Sequence, residues 1–172
     1  MEYQNNEFEI KTFKNIDFSG KFFKNSKFTD CKFESCNLSN VDLENTKFQN
    51  VAFRGCKILG LNFSKSNEFI ISFSFENCFI SMSVFSGLNL TNILFKDCQI
   101  FECDFIGTNL SKANFENSDL RSTRFQNSNL SFALFESARN YSIDPNQNIL
   151  KKTKFSIPEV IGLLDVLDIE LK

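Results

Sequence analysis

Histidine and tryptophan are absent from this 172-residue chain, and proline, methionine and tyrosine occur only twice each. Without histidine, neither a Ser–His nor a Cys–His nucleophile pair can be built. No Cys-x-x-Cys occurs among the six cysteines either, so a zinc site is not expected. Gly55, Gly60, Gly87 and Gly107 stand singly, which excludes a glycine-rich phosphate loop. No apolar run approaches the roughly 20 residues of a membrane span. Met1 to Asn6 lacks the basic-then-apolar pattern of a signal peptide. Charge of one sign is missing too: 19 Lys and Arg against 21 Asp and Glu leave a net −2, too mild a field for nucleic-acid binding. The expectation is a soluble, cytoplasmic, non-enzymatic protein that needs no cofactor or metal and contacts neither nucleic acid nor membrane directly.

What the chain has is phenylalanine, 23 of them, on a grid. Ile100, Phe105, Leu110, Phe115, Leu120, Phe125, Leu130 and Phe135 recur every five residues, each preceded two positions earlier by a small residue such as Cys103, Thr108 or Ala113. The grid runs back through Ile70, Phe75, Ile80, Phe85, Leu90 and Phe95, and again from Phe8 to Phe63. A period of five fits neither a helix nor a strand. A fixed short repeat marks a solenoid, whose units bury their apolar side only by stacking on neighbours. The phase slips once, between Phe63 and Ile70, and a two-residue insertion is placed near 66–67.

Units such as Ala113-Asn114-Phe115-Glu116-Asn117 and Ser118-Asp119-Leu120-Arg121-Ser122 resemble pentapeptide-repeat proteins, over about residues 6 to 137. The resemblance implies an all-β fold: a right-handed quadrilateral parallel β-helix, four pentapeptides to a coil, with large and small repeat positions inside. Residues 20 apart should then stack at about 4.8 Å, and the column from Phe13 and Phe33 to Phe115 and Phe135 is all Phe. Such rings suit an offset stacking ladder. Cys36, Cys56, Cys78 and Cys98 share another column and read as buried small hydrophobes.

Residues 1–137 form the solenoid in this reading, and 138–172 a closing segment with a short capping helix and a possible dimerisation tail. Asn6, Lys11 and Lys21 occupy small slots, so an imperfect first coil is expected. Ser156-Ile157-Pro158-Glu159 reads as a capping-box helix start. The apolar stripe behind it runs from Val160 to Leu167, and Asp168 to Leu171 reads as a final strand.

Within the family, the chain is most similar to the quinolone-resistance (Qnr-like) group. It shares a nearly uninterrupted Phe/Leu solenoid, an early slip, and a cap ending Leu163-Leu164-x-x-Leu167-x-Ile169. That likeness implies a DNA-shaped rod, a DNA mimic that binds DNA gyrase or topoisomerase IV and protects it from quinolones. It also implies a homodimer joined through the cap, at Ile161, Leu164, Leu167 and Ile169. Outward apolar residues around the slip, Phe69, Ile71, Phe79, Met82, Val84 and Phe101, are read as one partner-binding patch. The alternative is a structural scaffold or protein-binding module with another protein partner. Charges are mixed on all four faces: the Phe13–Phe135 face has Lys14, Lys32, Arg54 and Lys96 against Glu34, Glu76, Asp97, Glu116 and Glu136.

Overall fold

A computed structural model describes residues 3–67, 69, 71–167 and 169–170. Short parallel rungs pair with the rung 20 residues on. Phe8 lies against Phe28, Phe13 against Phe33, Asp17 against Asn37 and Phe22 against Asp42, so each coil has four sides. We number the sides in chain order. The first carries Phe8, Phe28 and Phe48, the second Phe13, Phe33 and Phe53, the third Phe18, Leu38 and Ile58, and the fourth Phe23, Leu43 and Phe63. This is a quadrilateral parallel β-helix, as the family resemblance implied.

Every grid residue from Phe13 to Phe135 is buried, apart from Ile70, which lies outside the described residues. The second-side rings stack from Phe13–Phe33 at 4.8 Å through Phe53–Phe75 at 5.1 Å to Phe115–Phe135 at 4.7 Å. Rings on the opposite second and fourth sides meet edge to face across the core, as Phe85 and Phe95 do at 88°. Both geometries put a ring edge or offset face against the negative π face, which is the favourable arrangement. In the small slots, Thr46, Thr108, Ser118 and Thr123 each donate a hydroxyl hydrogen bond to a carbonyl 23 residues earlier, which ties one coil to the next.

Three expectations need correction. The first coil is not imperfect in its pairing, because Glu7–Glu9 and Thr12–Lys14 both hold full register with the coil above. The slip does not sit at Ser66-Asn67. Ser66 is buried in a small slot with its hydroxyl bonded to the Phe63 carbonyl, and the Asn67 N–H bonds the Thr46 carbonyl at the ordinary spacing. Beyond the slip, Phe53 pairs with Phe75 and Ile58 with Ile80, 22 residues on. The two added residues therefore fall between Asn67 and Phe73. Phe73 occupies a small slot there and buries its ring against Phe63 at 5.2 Å and Phe48 at 5.9 Å.

The third correction is how the cap begins, since the short C-terminal helix itself is present in 3-10 form. Glu159–Leu163 and Asp165–Leu167 are short 3-10 turns, and the residue before the first, Pro158, makes no side-chain capping bond. Pro158 already has helical backbone angles, so Ser156 is not placed as an N-cap. Ile169 and Glu170 form no strand, and Asp168 and Leu171 lie outside the described residues.

Corner residues between sides need a left-handed backbone, and most are Asn, Asp or Gly. Ile10 is an exception, with φ 49° and its side chain in solvent. In the next two coils its corner holds Asp30 and Asn50, whose side chains bond each other at 2.6 Å. Ile10→Asn should relieve the β-branched strain and extend that ladder. The expected result is a gain of about 1 kcal/mol, read as a higher urea midpoint.

Candidate functional site

The predicted patch divides. Phe79 and Phe101 project from the third side, half-buried, with ring centroids 5.8 Å apart and planes at 89°. Leu59 stands in line with Phe101 through Ser81, and Met82 at the corner is 58% exposed. Val84 lies round that corner on the fourth side, half-buried between Asn62 and Asp104. Phe69 and Ile71 do not join this ridge. Ile71 pairs with Phe48 on the first side, which is opposite the third, and packs against the core. Phe69, adjoining it, is 87% exposed. The outward direction of the ridge residues is legible in sequence, but only the fourfold coil tells which of them share a side.

Above the ridge the third side turns polar. The Arg121 guanidinium lies over the Phe101 ring at 5.4 Å, a cation–π contact. Asp119 is buried and accepts from Asn140 Nδ2 at 2.9 Å, from Arg139 Nε at 3.3 Å and from the Arg121 N–H at 3.3 Å. Two largely exposed guanidiniums thus share one carboxylate. The sequence reading did not single out Arg121, Asp119 or Arg139 as site residues. Their signal was the same 20-residue spacing, which sets Arg121 above Phe101 and Arg139 above Asp119.

Burial alone would push the Asp119 carboxyl up, but hydrogen bonds from Asn140, Arg139 and Arg121, with the Arg121 charge, outweigh it. They hold the group below its usual 3.8. A carboxylate depressed on folding contributes stability above its unfolded value and loses it as pH falls through the folded one. Stability should therefore drop as pH falls below about 4. Asp119→Asn should flatten that part of the profile, read from urea midpoints against pH.

Elsewhere charges cancel in place. On the second side Lys14–Glu34, Arg54–Glu76 and Lys96–Glu116 pair at 3.4, 3.2 and 3.8 Å. On the fourth, Arg124 grips Asp104 through two bonds of 2.6 and 2.8 Å. All six cysteines are buried and free. Burial pushes the Cys103 thiol up to about 12, and burial raises Cys31 and Cys36 as well. Hydrogen bonding with Cys78, then burial, raises Cys56. Thiols held protonated in this way are poor nucleophiles and poor ligands. Among the described residues no three of His, Cys, Asp and Glu cluster so as to hold a metal, and no helix is long and apolar enough to cross a membrane.

At the C-terminal end, Ile161, Leu164, Leu167 and Ile169 are all exposed, with Val166 beside them, while Leu163 packs against the core.

Two family models match the chain: the pentapeptide repeat region over residues 6–74, and pentapeptide repeats (8 copies) over residues 98–136. Among solved structures, it is similar to a trypsin-treated form of QnrB1, a plasmid-mediated fluoroquinolone resistance protein. The identity is 19% and the TM-score 0.69, over 99% of this chain and 92% of that one. HetL, a pentapeptide repeat protein involved in heterocyst differentiation regulation from the cyanobacterium Nostoc, matches at 14% identity and a TM-score of 0.52, over 90% and 89% of the two chains. A comparison with curated protein sequences finds no match. At these identities the likeness speaks for the fold. Four-sided parallel coils on a five-residue grid, together with repeat models that match most of that grid, make this chain a pentapeptide-repeat protein.

Proposed function

We propose that this protein is a non-enzymatic interaction scaffold whose binding surface is the third side, from Leu59 and Phe79 through Phe101 to Arg121 and Arg139. The observation that carries the reading is the ridge itself. Two aromatic rings in mutual edge contact, with a guanidinium over one of them, stand on a rigid solenoid side. Aromatic and Arg side chains supply most hot spots in protein interfaces. The partner that fits is a protein segment placing an apolar side chain against Phe79 and Phe101 and a carboxylate against Arg121 and Arg139. Among the described residues the core is filled by its own side chains, which leaves no enclosed pocket for a substrate. Six free, buried thiols suit a reducing compartment, so the cytoplasm is the working location.

A second reading, protection of DNA gyrase or topoisomerase IV from quinolones, is favoured by one observation, the likeness of fold to QnrB1 along nearly the whole chain. DNA mimicry by charge is not part of this reading, because the second-side pairs neutralise one another. The exposed cap residues Ile161, Leu164, Leu167 and Ile169 supply a contact for a second copy in either reading.

Supercoiling by purified gyrase, with and without ciprofloxacin and with this protein titrated in, separates the readings. Rescue that Phe101→Ser and Arg121→Glu abolish would place gyrase on the ridge. Rescue unaffected by them would support protection and remove the ridge. With no rescue and no inhibition, the scaffold reading stands without a topoisomerase partner.

A further inference from the structure

Net charge averages over four sides, and above the slip the sides differ. The third balances Glu102 and Asp119 against Arg121 and Arg139, while the second and fourth carry carboxylates in excess. The first side is the exception. Its inward column continues as Leu90, Leu110, Leu130 and Leu150. Over its whole length it carries both signs, but among the described residues its rungs above the slip hold no carboxylate and three exposed lysines, Lys112, Lys151 and Lys152. Most of the remaining outward surface is amide and hydroxyl. Asn89, Asn109 and Asn129 stand in line, and Asn109 Nδ2 donates to Asn89 Oδ1 at 3.1 Å. Beside them the Thr91 and Ser111 hydroxyls meet at 3.3 Å.

The corner joining this side to the second carries the other half of the surface. Asn92, Lys112, Phe132 and Lys152 stack there, all with left-handed backbone, at φ 62°, 59°, 61° and 55°. Asparagine tolerates that conformation, but lysine and phenylalanine adopt it only at an energetic cost, and strain of this kind collects at functional sites. The core gains nothing from it here, because both lysines point into solvent and the Phe132 ring is 43% exposed. Lys152 Nζ stands 5.9 Å from that ring's centroid. Nearby carboxylates are taken up by other lysines: Glu116 pairs with Lys96 at 3.8 Å and Glu136 with Lys154 at 4.0 Å. The corner on the far edge of the side, Gly87, Gly107, Asn127 and Gln147, is neutral.

We propose that the first side above the slip binds single-stranded nucleic acid, with phosphates on Lys112, Lys151 and Lys152 and a base laid on Phe132. Lysines beside Ser, Thr and Asn side chains are common partners of phosphate and sugar oxygens. An exposed ring flanked by cations is a surface on which an unpaired base stacks. A chain of carboxylates would satisfy the lysines and leave the ring uncovered. A duplex would satisfy them too, but its bases are already stacked on one another. A single strand satisfies both. This side faces away from the ridge on the third, so the site does not depend on the ridge, and one rod can hold a protein and a nucleic acid together.

The test is fluorescence anisotropy of labelled oligothymidylate titrated with the full chain at several salt concentrations. The expected plot of log K against log salt has a slope of about −2, from three lysines at about 0.7 each. Lys112→Asn should reduce that slope by about 0.7. Phe132→Asn should weaken binding about tenfold and leave the slope unchanged. Asparagine already occupies this corner at Asn92 and suits its backbone. The urea midpoint of Lys112→Asn/Phe132→Asn/Lys152→Asn should therefore stay level or rise while binding is lost. The proposal is overturned if the wild-type chain does not bind at low salt, or if the triple variant binds as the wild type does. Displacement by polyglutamate, with Phe132→Asn as tight as wild type, also overturns it and makes the side a site for an acidic protein segment.

Discussion

Truncating Phe105 to alanine is expected to lower the stability of the solenoid by about 3–5 kcal/mol, the range for removing a fully buried ring. Phe105 is 0% exposed. It stacks on Phe85 at 4.8 Å and Phe125 at 5.3 Å, with both interplanar angles 6°, and meets Phe95 and Phe115 edge to face at 5.7 and 6.3 Å. Part of the loss is the transfer free energy of the ring, and the rest is the cavity. Cavity relaxation is limited here because the rungs above and below are fixed by their own ladders. The comparison that isolates burial is Phe79→Ala, the same truncation on a half-buried outward ring. It should cost about 1 kcal/mol, the order of its remaining contact with Phe101. Urea denaturation gives both values. A loss at Phe105 below that at Phe79 would mean that the inward and outward assignments are reversed.

Inward and outward could be assigned from sequence for a physical reason. A period of five with a small residue two before each large one marks a stacked repeat that buries both, and the resemblance to pentapeptide-repeat proteins supplied the four sides from which the 20-residue columns follow. The stacking of Phe13, Phe33 and Phe53 was legible because identical rings at a fixed spacing need no knowledge of the rest of the chain. Phe73 was not legible. It stands in a small slot, and only the room left by the added residues after Asn67 lets its ring reach Phe48 and Phe63. Ile71 was read as outward because the grid loses phase there, and it turns inward for the same cause. The division of the partner patch followed from that loss, since sides can be counted only when the phase is known. The cap failed as a capping box because Pro158, two residues after Ser156, is itself the residue that flanks the first turn and already has helical angles, so the Ser156 hydroxyl does not stand at the N-cap.

Gly162→Ala should detach that cap. A Cβ at Gly162 would fall well inside contact distance of the Tyr141 carbonyl oxygen, and backbone on both sides leaves no flexible side chain to yield. One of two things must move. The coil beneath is stiff, with Tyr141 and Ile143 3% and 0% exposed and Tyr141 wedged against Phe135 at 5.4 Å and Phe155 at 5.6 Å. Among the described residues the cap has no buried residue in either turn; half-buried Leu163 packs against the core, and Glu159 accepts from the Asn140 N–H at 3.4 Å. Leu163 contributes about 1–2 kcal/mol of burial, less than the cost of a backbone overlap, so the cap moves and the coil stays. The loss of global stability should be correspondingly small, about 1–2 kcal/mol, but the local effect is complete. Protection of the Ile161, Leu164 and Leu167 amides, each bonded within the turns, should fall to that of unfolded chain. Tyr141 supplies a second readout. Burial, with Glu159 nearby, pushes its phenol up to about 12, and its hydroxyl has no partner among the described residues. With the cap gone the phenol meets water, so its titration should move down toward the ordinary value near 10. If the Tyr141 phenol keeps its elevated value in Gly162→Ala, the cap has tolerated the methyl group and Gly162 is not what seats it.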